Sequence, residues 1–378
     1  MSGPLRIARA TASLHLHRLA KPVRASFGVM RARPMLLVRV EDRDGAHGWG
    51  EIWCNFPPGG GEGRKRLFDE LFAPMLDGAA FDGPAEAYAQ IGARTRVMAI
   101  QSGEPGPFAQ VLAGIDQALW DLSARRAGVP LWKHLGGASG EVATYASGMG
   151  PDADVALRQA QASVAAGYDA FKLKVGFKPD DDMAALAALR AELGTDVFLA
   201  IDANQAWDVE TASRRVREYA KFKPAWIEEP LAADATEAEW QLVAGLSAAK
   251  VAAGENMRGA AQFRSAIASN AFGVIQPDLA KWGGFTGCLA VARETIEAGL
   301  MFCPHYLGGA IGLVASAHLL AAAGGEGKLE IDAQDNPLRT EALGDFPRVS
   351  KGRLRLPERP GLGYDPDPAF LKRTLEAA

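Results

Sequence analysis

The chain has 378 residues, 48% of them hydrophobic, which is enough for one large domain or two ordinary ones and excludes wholesale disorder. Its 45 acidic and 41 basic residues leave a formal charge of -4, a balance that excludes nucleic acid as the main partner. Cys54, Cys288 and Cys303 are spaced too widely for a disulfide framework or a zinc pattern, and no apolar run is long enough to span a bilayer. No signal peptide is visible, so a cytoplasmic chain without a membrane partner is the expectation.

Residues 1–40 carry eight Lys or Arg and no Asp or Glu. A surface strand and loop accounts for this; a basic transit peptide, or Arg24 and its neighbours attracting an anionic substrate, are the other readings. The stretch "SLHLHRL" alternates Leu14 and Leu16 with His15 and His17, as a half-exposed strand does. Strand patterns follow at Met35–Val40 and Gly48–Trp53, and an amphipathic helix at Pro107–Ala127. Between them "FPPGGGEG", Phe56–Gly63, reads as a flexible loop, either a surface connection or a lid. Gly136–Gly137 closes this block, so residues 1–135 form a separate α+β unit.

From about residue 140 a theme repeats. The runs "VATYASG", "AFKLKVG", "VFLAIDAN", "AWIEEP", "KVAAGEN", "GVIQPD", "LMFCPHY" and "KLEID" are short and mostly apolar, as strands buried on both faces are. Helical spacing lies between them. Val209, Ala212, Val216 and Tyr219 mark one stripe, and Asp234 with Glu237 three residues on is a candidate N-cap. Strands alternating with helices predict a parallel α/β sheet over 136–332. Eight runs suggest closure into a barrel, although an open doubly wound sheet fits the same alternation. Residues 333–378 are turn-rich.

The last polar residues of successive runs are Lys174, Asp202, Glu228, Glu255, Asp278, His305 and Glu330, each one strand–helix unit beyond the one before. At strand C-termini of a barrel they converge on one rim. So much charge in one place is costly unless a metal or chemistry requires it. Asp202, Glu228 and Glu255 suit a hard divalent cation, Mg²⁺ or Mn²⁺, with room for water and a substrate carboxylate. Lys172 is expected to lower the pKa of Lys174 and to contact a substrate carboxylate; a solvated Lys-x-Lys pair is the plain alternative. Asp278 would fix the tautomer of His305, and Glu330, if protonated, would hydrogen-bond a developing enolate oxygen. Lys174 and His305 would then face each other across the substrate, one removing a proton from carbon and the other supplying one. His318 lies on a helical run and is expected to be packed or at the surface; His15 and His17 make a weak metal pair at best.

The set "FKLKVG", "IDAN", "WIEEP", "AAGEN", "QPDLAKWGG", "CPHY" and "LEID" resembles the mandelate racemase subgroup of the enolase superfamily. "GWGE", "ALWDLSARRAGVPLWKHLGG" and "RPGLG" extend the resemblance over essentially the whole chain. The muconate-lactonising branch carries a lysine where Asp278 stands, so that branch is disfavoured. The resemblance implies an α+β cap, completed by C-terminal residues, on a modified TIM barrel of (β/α)₇β type. It implies Mg²⁺ held by Asp202, Glu228 and Glu255, with Lys174 as one base, His305 and Asp278 as the other acid/base, and Glu330 assisting the enolate. Family members remove the proton α to a carboxylate. Loss of a β-hydroxyl from the enolate gives a 2-keto acid; reprotonation on the opposite face gives racemisation or epimerisation. Substrate choice would lie in "PVRASFGV" and "EIWCNFPPGGG", where Arg24, Ser26, Trp53 and Asn55 offer polar groups and an aromatic, with Asn204 of "IDAN" also on the substrate side. Trp53 and Phe56 have a plainer role available, packing cap against barrel. Polar loops favour an acid-sugar dehydratase over a racemase or epimerase; a non-catalytic sugar-acid scaffold is the remote third reading. The expected partners are a small-molecule carboxylate and further copies of the chain in a homo-oligomer.

Overall fold

The computed structural model describes residues 3–25, 28–150, 152–345 and 348–376. The N-terminal part is an antiparallel sheet of β1 (Leu5–Ala25), β2 (Gly28–Asp42), β3 (His47–Ile52) and β4 (Ala80–Phe81), in the order β3-β2-β1-β4. Alternation sets its register: Leu14 faces Leu36, and Val38 lies between Ala12 and Gly50. Leu36, Val38 and Val40 turn inward onto the helix Pro105–Ala127. Gly48 and Gly50 let that helix lie against β3, since a Cβ on either would strike the carbonyl oxygen of Ala118 or Gly114.

Eight parallel strands follow: β5 (Glu141–Met149), β6 (Ala170–Lys174), β7 (Phe198–Asp202), β8 (Trp226–Glu228), β9 (Lys250–Ala253), β10 (Val274–Ile275), β11 (Met301–Phe302) and β12 (Lys328–Asp332). A helix follows each strand from β5 to β11. β5 pairs with β6 on one side and β12 on the other, and β12 meets the end of β11 across the remaining seam, which closes the (β/α)₇β barrel and removes the open-sheet alternative. At the remaining seam the Lys328 amide donates to Cys303 Sγ at 3.3 Å. The C-terminal strands β13 (Val349–Ser350) and β14 (Arg353–Arg355) form a hairpin whose second strand runs antiparallel to β5. The chain then returns towards the N-terminal sheet, with bridges Pro130–Gly361 and His15–Leu375. Among the described residues no helix is long and apolar enough to cross a membrane.

The helix stripe at Ala212, Val216 and Tyr219 is buried within Val209–Tyr219. Two local expectations are corrected. The N-cap before Glu237–Leu246 is Thr236, not Asp234: Thr236 Oγ1 accepts from the Glu239 amide, and Glu239 accepts from the Thr236 amide, a complete capping box. The glycine-rich segment is only partly a loop, because Gly60–Leu67 is helix. The buried Arg64 pins it, donating to Gly60 O (2.8 Å), Phe56 O (3.1 Å) and Gln110 Oε1 (2.6 Å). The cap also grips the barrel through Glu51. Its buried carboxylate accepts from the Gly309 and Gly312 amides (2.6 and 2.9 Å) at the start of the helix Ala310–Ala323, where a negative charge is favoured.

Candidate active site

The barrel interior is layered by the two-residue period of its strands. Tyr145, Ala170, Ala200, Trp226, Ala252, Val274 and Cys303 make an apolar floor. Two residues further along β6, β8 and β10 come Lys172, Glu228 and Gln276, all buried. Lys172 Nζ lies 2.5 Å from Glu228 Oε1, 2.7 Å from Glu330 Oε1 and 3.6 Å from Asp202 Oδ2. Gln276 Nε2 and Trp226 Nε1 donate to Glu228 Oε2 at 2.8 and 3.1 Å.

Lys172 and Lys174 do share a face, but at different depths. Lys172 is fully buried and is not among the residues that line the cavity above. Burial pulls its pKa down, yet Glu228 and Glu330 hold it well above its ordinary value. Lys174 reaches the cavity and lies 2.7 Å from Asp202 Oδ2. Its pKa is not lowered as expected. Burial and Lys172 lower it, but Asp202 outweighs both and keeps the ammonium charged. The condition attached to Glu330, that it carry a proton, is not met: burial raises its pKa, but Lys172 and His305 bring it down to about 2.

His305, beyond β11, is held on both ring nitrogens, with Nδ1 2.8 Å from Asp278 Oδ2 and Nε2 2.8 Å from Glu255 Oε2. Two carboxylates facing one imidazole favour its charged form, the imidazolium. The pKa agrees: burial lowers it, while Glu255, Glu330 and Asp278 raise it well above its usual value. Asp278 is fixed in turn, its Oδ1 accepting from the Ala280 and Lys281 amides. His318 and His15 are structural. His318 is buried between the Trp132 amide and Leu362 O, and His15 sits between Ser13 Oγ and Thr374 Oγ1.

Strain marks the same rim. Asn204 (φ 48°), Gln205 (φ 63°) and Glu229 (φ 39°) take left-handed backbone just past β7 and β8. Non-glycine residues pay on the order of 1 kcal/mol or more for this, and such outliers gather at working sites. The Ala203 and Gln205 amides bond Glu228 O and Glu229 O, tying the two strand ends together.

A cavity of about 270 Å³ opens above this layer. Of the residues proposed from sequence, Lys174, Glu255, His305, Asn204, Trp53 and Asn55 line it. The Asn204 amide donates to Asp202 Oδ1 (2.8 Å), and Asn55 Nδ2 donates to Leu307 O (2.5 Å), which leaves the Asn55 carbonyl oxygen for a ligand. Arg24 sits opposite Val29 in the β1–β2 ladder, but its side chain, like Ser26 as a whole, lies outside the described residues. Sequence reasoning missed Lys281, Asn256, Gln205, Arg33, Asp332 and Gln334 in the wall. Lys281 lies over the Trp53 ring (4.8 Å) and 3.1 Å from Glu255 Oε1. It stands within "QPDLAKWGG", one turn past Asp278, so a search of that motif could have found it.

The oxygen donors suit a hard cation. Burial lifts Glu228, Lys172 opposes this, and Asp202, Glu330 and Glu255 lift it again, to about 7. Burial and Glu255 lift Glu229 to about 8. Carboxylates that raise one another in this way lack positive charge. Side-chain cations now occupy them, and among the described residues no three His, Cys, Asp or Glu groups are drawn into a ready cage. Asp202 and Glu255 would have to turn from Lys174, Lys281 and His305 to hold an ion.

Residues 8–136 match the family model described as mandelate racemase / muconate lactonizing enzyme, N-terminal domain, and residues 155–370 match enolase C-terminal domain-like. The chain is 36% identical over 267 residues to an L-talarate/galactarate dehydratase of Salmonella typhimurium, covering 69% of this chain and 64% of that protein. It is 32% identical to a 3,6-anhydro-alpha-L-galactonate cycloisomerase of Streptomyces coelicolor, covering 77% and 80%. Among solved structures, a mandelate racemase/muconate lactonizing enzyme from Bordetella bronchiseptica superposes with a TM-score of 0.91 at 47% identity, over 98% of this chain and 99% of that one. A racemase from Streptomyces coelicolor with bound magnesium gives 0.86 at 29% identity, over 98% and 100%. Barrel closure, cap, rim residues and these matches agree, and the chain belongs to the mandelate racemase subgroup of the enolase superfamily.

Proposed function

We propose that the chain is a divalent-cation-dependent acid-sugar dehydratase, a lyase that takes the proton α to a carboxylate and expels a β-hydroxyl as water. The observation that carries this is the pairing of Lys174 and His305 on one cavity. Their strands are separated by β5 and β12 one way round the barrel and by β7 to β10 the other, so they approach a ligand from different sides. His305 presents Nε2–H, with its ring fixed by Asp278. An imidazolium so placed is an acid ready to protonate a leaving hydroxyl. Lys174 acts as base once its own proton is given up, and the ammonium of Lys172 favours that loss. Asp202, Glu228 and Glu255 would hold the ion, Mg²⁺ with Mn²⁺ as a substitute. Bound there, it supplies positive charge that stabilises the charge developing on the substrate carboxylate. Glu330 stays ionised and holds Lys172 in place.

The dehydratases among the relatives support this reading. A second reading, an isomerase using the same two groups, is favoured by the cycloisomerase relatives. A panel of mono- and diacid sugars with Mg²⁺, assayed for 2-keto acid and for α-deuterium uptake in D₂O, separates them. Keto acid identifies a dehydratase; an isomeric product with no keto acid identifies an isomerase; no exchange with any acid overturns both. Exhaustive EDTA treatment should abolish turnover and Mg²⁺ should restore it, whereas full activity after chelation removes the ion from the reaction. We also propose a cytoplasmic homo-oligomer, whose oligomeric state light scattering on the purified chain measures.

A further inference from the structure

The wall of the cavity formed by β5 and β12 carries a charge that the chemistry above does not use. Arg33 reaches it from β2 of the cap and is 2% exposed. Its Nη2 lies 3.0 Å from Asp332 Oδ2, at the end of β12, and 3.3 Å from Gln334 Oε1. Arg339 Nη1 lies 3.4 Å from that same Asp332 oxygen. Arg33 Nε and Arg339 Nη1 are buried with no hydrogen-bond partner. Among the described residues neither guanidinium pairs with any other carboxylate. One carboxylate therefore serves two buried guanidiniums, and one positive charge is left over.

An unbalanced buried charge is expensive, and a second anion relieves it. A guanidinium with an unused N–H has the geometry for a carboxylate in particular. Arg33, Asp332 and Gln334 all line the cavity, as do Lys174, Glu255 and His305. β9, which leads into Glu255, stands opposite β5 in the ring of eight. A ligand with one end at Glu255 and the other at Arg33 therefore spans the barrel mouth.

We propose that the substrate is a diacid, an acid sugar with a carboxylate at each end, and that Arg33 binds the end remote from the chemistry. This rests on the reading of the cavity as an acid-sugar site. A simpler role for Arg33, a strut between cap and barrel through Asp332, predicts no preference between acids. Matched pairs that differ only at the far carbon separate the two: galactarate with galactonate, and glucarate with gluconate. Wild type should favour the diacid of at least one pair in kcat/KM. Arg33→Gln should lower that diacid-to-monoacid ratio about 10- to 100-fold, the size of a lost charged hydrogen bond. Arg33→Lys should lower it less, and this variant carries the test should the glutamine variant fail to fold. A ratio within threefold of wild type in the folded variants overturns the proposal and leaves the strut. If no acid turns over, calorimetric titration of each acid into wild type and Arg33→Gln still decides. Tighter diacid binding that the substitution abolishes supports the subsite while the dehydratase reading falls; equal binding of both acids overturns the subsite itself.

Discussion

Asp278→Asn tests the acid role of His305 with the smallest change of shape. Asp278 uses its two oxygens differently: Oδ1 accepts from the Ala280 and Lys281 amides at 2.8 and 3.1 Å, and Oδ2 faces His305 Nδ1 at 2.8 Å. In the asparagine variant the amide oxygen must stay with the two backbone donors, because turning it away would leave them unpaired at about 1–3 kcal/mol each. The amide NH₂ then points at Nδ1 and donates to it. Nδ1 becomes an acceptor, the ring becomes neutral, and the remaining proton sits on Nε2. A neutral imidazole is a far weaker acid than the imidazolium. The charged bond lost is worth about 1.5–3 kcal/mol, and general acid catalysis typically contributes about 10²- to 10⁴-fold. We expect kcat for dehydration to fall within that range. Exchange of the α-proton, which the proposed mechanism assigns to Lys174, should fall much less, and the variant should remain folded because both backbone bonds survive. Steady-state kinetics and deuterium uptake on one active sugar acid measure the two effects. A variant whose kcat stays within threefold of wild type would refute the assignment of His305 as acid.

Lys172→Met should destabilise the barrel by about 3–5 kcal/mol in urea, since it strands Glu228 and Glu330 without their buried cation; unchanged stability with a raised KM would instead return Lys172 to the substrate. His318 is held down to about 4 by burial, against an ordinary 6.5. Its folded pKa lies below its unfolded one, so its contribution is complete above about 6.5 and is lost as pH falls towards 4, on the order of 3 kcal/mol in total. The stability difference between wild type and His318→Gln should therefore shrink over that window; a difference that does not change with pH would contradict it. Because Glu228 and Glu229 are held up at about 7 and about 8, protons compete with the ion, and Mg²⁺ affinity by calorimetry should rise from pH 6 to pH 8.5. A flat profile would separate the ion from these carboxylates.

What the sequence shows and what it hides follows from the range of the forces. The strand runs and the Ala212–Val216–Tyr219 stripe are local patterns, and the rim residues follow from repeating them. The capping error is also local. Asp234 and Thr236 each have a glutamate three residues on, and only the actual path of the chain shows which glutamate reaches back. The segment Phe56–Gly63 has a loop composition, yet Arg64 and Gln110 hold it by bonds that no glycine count reveals. Arg33 was the least accessible of all. Its partner Asp332 is 299 positions away, and the pair exists only because the cap is docked on the last barrel strand. Depth was hidden too: periodicity put Lys172 and Lys174 on one face, but only the closed barrel sinks the first beneath Glu228 and Glu330 and leaves the second in the cavity wall.

That difference in depth explains how the barrel can hold so many acids. Asp202, Glu228, Glu229, Glu255, Asp278 and Glu330 are all buried, and the cations among them are Lys172, Lys174, Lys281 and His305. Counted as ionised, these six acids outnumber these four cations, and Asp332 with Arg33 and Arg339 in the neighbouring wall returns one positive charge. Lys172 has no exposed surface, so it is a fixed counter-charge that keeps Glu228 and Glu330 in register whether or not a ligand is present. Lys174, Lys281 and His305 stand in the cavity wall and lean on Asp202 and Glu255. An ion that takes those two carboxylates would release all three groups towards the cavity without disturbing the floor. They are the groups the proposed chemistry calls for: a lysine that, freed from Asp202, can give up its proton and act as base, an imidazolium to give a proton, and a second ammonium to meet a carboxylate. On that reading the acids keep Lys174, Lys281 and His305 charged and in place until an ion takes Asp202 and Glu255.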